Sequence, residues 1–197
     1  MGGGGNSAQK AANRQEMERQ SRIASATKKI DAIFSSPSRT GEYEKYGRSI
    51  NDLYLQDANR QKMVADRGLQ FSMARSGLTG GSLATSAGRD MRDEYTRGVL
   101  EATRRAQGSV ADLKAQDNSA RLNLIQLANA GTDATSAAQN AAAAMRTNLA
   151  SAQGGATASG LGDIFGRTAL VYKQQQESAE RRRAQLAPLG TYYSHPY

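Results

Sequence analysis

The 197-residue chain has no cysteine and no tryptophan, one histidine, three prolines and three phenylalanines. Without cysteine there is no disulfide framework and no thiol chemistry, which fits synthesis in a reducing compartment. With His195 as the lone imidazole, neither a zinc site nor a Cys–His pair can be written. A Ser-His-Asp arrangement would need a sharply held nucleophile turn, and the sequence shows none. Proline occurs only at Pro37, Pro188 and Pro196, so the main helix breaker is missing from residues 38–187. Large apolar residues are scarce: Leu, Ile, Val and Phe together number 28. That share falls below the roughly 20% at which a chain with appreciable charge can build an ordinary core. No apolar run approaches the ~18 residues of a membrane-spanning helix. Met1–Ser7 lacks the charged and apolar regions of a signal peptide, and Ser7 follows Gly2 one position too late for a myristoylation motif.

What fills the chain instead is Ala, Gln, Arg, Glu and Lys, all strong helix formers. Helix is therefore easily made, whereas a self-sufficient core is not. The net charge of +8 is unevenly placed. Residues 1–75 carry 13 basic and 8 acidic groups, residues 76–135 carry 7 of each, and residues 136–197 carry 6 and 3. Basic ends around a neutral middle favour contact with anionic partners, either nucleic acid such as double-stranded DNA or the headgroups of a membrane.

The expected architecture is all-α: long helices in an extended hairpin or bundle, with a flexible glycine arm at 1–6 and an extended tail at 188–197. A helix is expected over 7–34, with Ile23, Ala26, Ile30 and Ile33 stepping at helical spacing toward a core. Ser35 to Gly41 interrupts it. A second helix is expected from Thr40, with Glu42 and Glu44 in its first turn and Tyr43, Tyr46, Ile50 and Leu53 on one face. Asp57 and Arg60 interrupt that apolar seam, which argues for a wet or shared interface over a two-stranded zipper. Residues 40–130 form one long helical hairpin in this reading, turning at 76–82 through Gly77, Gly80 and Gly81. The returning helix carries Tyr95, Val99, Ala102, Ala106, Val110, Leu113, Leu124 and Leu127 on a stripe, and would span about 70 Å if Gly98 and Gly108 do not bend it. Residues 131–160 are rich in Ala, Ser and Gly. Helix is expected from Ala137 to Ala152, with Gly154 and Gly155 then loosening the chain.

No catalytic, metal or cofactor site emerges. The glycines of 77–81 precede a helix but lack the Lys-Ser/Thr of a phosphate-binding loop, so a hairpin turn is the better reading. An amphipathic helix is expected over 161–187, with Leu161, Ile164, Phe165, Leu170 and Val171 as a packing patch or a membrane-inserting one. Arg181, Arg182 and Arg183 are candidate anion contacts, set against a solvated helix end. Tyr192, Tyr193 and Tyr197 are candidates for docking the tail into a groove on another subunit.

The polar Ala/Gln/Arg helices, the turn Met73–Ser82 leading into a long helix, and the small-residue C-terminal third resemble the small internal virion (ejection) proteins of short-tailed (podovirus) bacteriophages. The resemblance implies a non-enzymatic homo-oligomer, made in the host cytoplasm and stored in the virion interior near the portal vertex. Its partners would be the portal and larger internal proteins. During infection it would be expelled ahead of the genome and help form a conduit through the host envelope, at the outer membrane. The sequence departs from the family in having no long apolar C-terminal stretch. A static connector or tail component attached to the portal is the other virion role compatible with these features, and a helical nucleic-acid binder outside any virion is a third reading.

Overall fold

A computed structural model describes residues 5–77, 82–165 and Arg181. All regular structure among these is helical: α1 (Gly5–Phe34), α2 (Pro37–Ser76), α3 (Ser82–Asn129) and α4 (Ala134–Ala158). The helical expectation holds, while several boundaries move for identifiable reasons. α1 includes Gly5 and Asn6, while residues 1–4 of the expected arm and the expected tail at 188–197 lie outside the described residues. The break after α1 is only Ser35–Ser36, and α2 starts at Pro37 instead of Thr40. Pro37 takes the first helical position, where its missing N–H removes no helical bond. Ser36 caps it: the Arg39 amide donates to Ser36 Oγ at 3.2 Å. With the start moved back, Glu42 and Glu44 lie beyond the first turn.

The α3–α4 connection is set by local chemistry. Gly131 adopts φ +111, and the Thr132 amide reaches back to Leu127 O at 3.2 Å while that of Gly131 bonds Ala128 O at 3.1 Å. This pairing terminates a helix on a left-handed residue and satisfies its last carbonyls. Asp133 then caps α4, its Oδ1 accepting the amides of Thr135 at 2.8 Å and Ser136 at 3.0 Å. The Ser136 hydroxyl also donates to Asp133 Oδ2 at 2.6 Å, and this bond together with the two amides holds the Asp133 carboxyl below its usual range. Gly154 and Gly155, expected to loosen the chain, instead lie inside α4, and Gly98 and Gly108 lie inside an uninterrupted α3.

Burial along α3 follows a repeat of 11 residues. Met91, Ala102, Leu113 and Leu124 form one line of buried positions and Ala106, Asp117 and Ala128 a second. Three turns over 11 residues give 3.67 per turn, close to the natural helix. The expected stripe placed Leu127 on the buried side; it is 50% exposed, and Ala128 is buried in its place.

The described residues form two compact units, one within Met1–Asn51 and Arg105–Ser159, the other within Asp52–Arg104 and Gly160–Tyr197. In the first, Ala26 and Ile30 of α1 meet Leu124 and Ala128 of α3 and Ala137 and Ala141 of α4. Small side chains let these helices approach closely, at the cost of little apolar area per contact. In the second, Tyr54 and Ala58 of α2, Ala87, Met91 and Ala102 of α3, and Leu161 and Phe165 beyond α4 are buried.

Candidate functional site

The first unit holds a buried polar node. Arg39, in the first turn of α2, donates from Nε to Asp117 Oδ2 at 2.6 Å, with the two side chains only 1% and 3% exposed. Tyr43 Oη donates to the same oxygen at 2.6 Å, and Asn148 Nδ2 of α4 donates to Oδ1 at 2.9 Å. Arg39 Nη1 also bonds Glu42 Oε2 at 2.6 Å, and the guanidinium lies 5.0 Å from the centre of the Tyr43 ring. Arg39 Nη2 is buried without a hydrogen-bond partner among the described residues. Three helices are thus tied to one carboxylate.

Burial disfavours both charges, but the surrounding bonds outweigh it. Asp117 is held below the usual carboxylate range by the bonds from Arg39, Tyr43 and Asn148. Arg39 is held above its ordinary value against its own desolvation by Asp117, Glu42 and Tyr43. Burial and the neighbouring carboxylate push the Tyr43 phenol up. Asp117 accepts on both oxygens and stays ionised; Tyr43 keeps its proton. The arrangement therefore locks helices together and leaves neither group poised for proton transfer. Beside it, a cleft of about 310 Å³ is lined by Asp31, Phe34, Tyr43, Lys114, Asp117 and Arg121 among others. Arg121 Nε bonds Asp31 Oδ1 there at 2.7 Å.

The second unit is organised around α2 side chains that receive backbone. Asp57 Oδ2 accepts the Leu161 amide at 3.2 Å and Gln61 Nε2 at 3.2 Å. Gln61 in turn donates to Gly162 O at 2.8 Å and accepts the Ile164 amide at 2.9 Å. These contacts fix residues 160–165 as a non-helical segment, so the helix expected from 161 does not begin there. Three of its backbone groups are satisfied by α2 side chains, and the Phe165 amide donates to Asp163 Oδ1 at 3.0 Å, in place of a helical ladder. Asp57, which looked like a flaw in an apolar seam, is the acceptor that this segment needs.

Of the expected patch, Leu161 and Phe165 are 5% and 4% exposed. Ile164 packs on Gly98, where an added Cβ would meet its Cδ1 at 2.8 Å. Leu161, Ile164 and Phe165 therefore pack within their own unit, whereas Leu170 and Val171 lie outside the described residues. Gly77 closes α2 with φ +68 and its amide on Ala74 O at 3.3 Å; Gly80 and Gly81 are outside. Arg181 is exposed, while Arg182 and Arg183, with Tyr192, Tyr193 and Tyr197, are outside. Arg39, Gln61, Asp117 and Asn148 were not singled out from sequence. Asp117 had one available signal, a carboxylate on an 11-residue line with Ala106 and Ala128.

Among the described residues, no cluster of His, Cys, Asp or Glu is placed to hold a metal ion, and no helix is long and apolar enough to cross a membrane. No protein-family model, curated protein or solved structure matches the chain.

Proposed function

We propose that this chain is a structural, non-catalytic helical subunit that assembles with copies of itself and with other virion proteins. The observation carrying the reading is α1 between Ser7 and Arg22, which is exposed on every face. Most helical stability in proteins comes from tertiary packing of one face, and this stretch has none among the described residues. Its core-side line continues backward from Ile30 and Ala26 through Ile23, crosses the Arg19–Glu16 ion pair, and reaches Ala12 and Ala8; among the described residues nothing covers the small side chains at that end. Other unfilled positions support it. Val64 and Phe71 are 65% and 72% exposed beside Arg67 and Arg75, and Leu122 and Leu127 are half exposed. Large apolar groups left on helix surfaces mark contact sites when they cluster.

Within that class, the sequence resemblance supports an internal virion protein of a short-tailed phage, held near the portal and released with the genome to help build the conduit across the host envelope. A subunit with a thin, alanine-lined interior suits that task, because little apolar area opposes its opening and reassembly. Two measurements test the reading. Sedimentation of the full chain should show concentration-dependent oligomers that Ala8→Glu/Ala12→Glu abolishes; a strict monomer at all concentrations contradicts assembly. Mass spectrometry of phage particles before and after genome release should find the chain only before. Retention afterwards would make it a static connector, and absence from both would end the virion assignment.

A further inference from the structure

We propose that the outer face of α1 is a binding surface for the phosphate backbone of double-stranded nucleic acid. Lys10, Arg14, Arg22, Lys28 and Lys29 are all exposed. At about 100° per residue they fall within roughly one third of the helix circumference, on a face turned away from the core residues Ala26 and Ile30. None enters an ion pair among the described residues. The acids of α1 are largely kept off this face. Glu16 lies outside it and is neutralised by Arg19 at 2.8 Å, and Asp31 is paired with Arg121 at 2.7 Å. Only Glu18 lies among the five cations. This ordering goes beyond the net charge of the N-terminal region, because it concentrates the unpaired cations on a single strip.

Dimensions and chemistry select the occupant. From Lys10 to Lys29 the strip runs about 28 Å, close to the ~34 Å of one duplex turn. A lipid surface would call for apolar side chains to insert beside the cations, and Met17, 63% exposed, is the sole large apolar residue of α1 on the surface. Single strands are favoured by aromatic stacking platforms, and α1 has no aromatic residue before Phe34, which packs against the core of the first unit. A run of long, unpaired cations without stacking groups suits sequence-independent phosphate contact. The surface is separate from the alanine line assigned above to subunit packing, so α1 can face a neighbour on one side and a duplex on the other. The inference rests on the charge geometry of α1 and holds even if the virion assignment fails.

The test uses the full chain and a fluorescent 25-base-pair duplex of arbitrary sequence, followed by anisotropy between 50 and 200 mM salt. Five phosphate contacts opposed by one acid predict a slope of log K against log salt near −4, a loss of about 100-fold or more over that range. Replacing all five cations by Gln should weaken binding at 50 mM at least tenfold and flatten most of the slope. Replacing Lys10, Lys28 and Lys29 by Arg should preserve both. Acetylation mapped by mass spectrometry on the unmodified chain provides a readout independent of any variant: duplex should protect Lys10, Lys28 and Lys29 more than Lys45 and Lys62. The proposal is overturned by absence of duplex binding at 50 mM salt, or by equal acetylation of all five lysines with duplex bound. It is also overturned if Arg181→Gln/Arg182→Gln/Arg183→Gln removes the binding that the α1 variant retains, or if vesicles with 30% anionic lipid bind the chain at salt concentrations where the duplex does not.

Discussion

The two units solve the same shortage of large apolar residues in different ways. In the first, alanine faces from α1, α3 and α4 pack closely, and one buried carboxylate ties α2, α3 and α4 through Arg39, Tyr43 and Asn148. In the second, α2 uses Asp57 and Gln61 to hold the backbone of 160–165, which delivers Leu161 and Phe165 into the interior. One interior depends on a charge pair that must be complete. The other depends on hydrogen bonds to backbone that can be removed one at a time. The difference shows how polar groups can define a fold when hydrophobic area is limited: a buried ion pair specifies which helices meet, and side-chain acceptors specify where an irregular segment lies.

That contrast can be broken by mutation. The largest effect is expected at Asp117→Ala, which leaves the buried Arg39 guanidinium with Glu42 alone and takes the acceptor from the half-buried Tyr43 phenol and Asn148 amide; the loss should be about 3–5 kcal/mol by denaturant unfolding. The double variant Arg39→Met/Asp117→Leu should recover most of it, since apolar replacement of a buried pair is often neutral. A single-variant loss under ~1 kcal/mol would mean the node is not a lock. Asp57→Ala should cost about 1–3 kcal/mol, because it leaves the Leu161 amide without its acceptor. Hydrogen exchange should then speed up at Leu161 and Ile164 while α1 amides near Ile30 keep their protection. Equal loss in both places would erase the distinction between the units.

Gly98→Ala comes next. The new Cβ would sit 2.8 Å from Ile164 Cδ1 and 2.9 Å from its Cγ2, so Ile164 must shift. Overpacking costs about 1–3 kcal/mol and the gain in helix propensity offsets about 1 of it, leaving a modest net loss. Combining it with Ile164→Ala should relieve the clash, and thermal melts of the pair would detect non-additivity. The smallest effect at neutral pH is expected from titration of Asp117. Its folded carboxyl is held low, so its contribution is complete above the unfolded value of ~3.9 and is lost as pH falls through the lower folded value. Circular dichroism should show stability declining below about pH 4. Asp117→Asn should flatten that decline without altering the profile between pH 5 and 8.

Much of the helical plan was legible because Ala, Gln, Arg and Glu favour helix, and because Ser35–Ser36, Gly77 and Gly131 punctuate it. The errors have physical sources. Pro37 looked like part of a long breaker, yet proline is tolerated at a first helical position, and Ser36 completes the cap. The stripe expected from the sequence placed Leu127 inside, whereas an 11-residue line buries Ala128. Gly98 suggested a bend; its use is to admit Ile164.

The candidate site was less legible. Arg39 and Asp117 are 78 positions apart, and neither differs locally from the many exposed charges around it. Sequence alone determined an all-α chain with weak local cores and an excess of cations, because propensity, punctuation and charge are properties of neighbouring residues. Which carboxylate is buried, which arginine meets it, and that 160–165 is a docked strap instead of a helix were decided only in three dimensions. Desolvation and hydrogen-bond completion depend on what the fold brings together, and no local spacing encodes them.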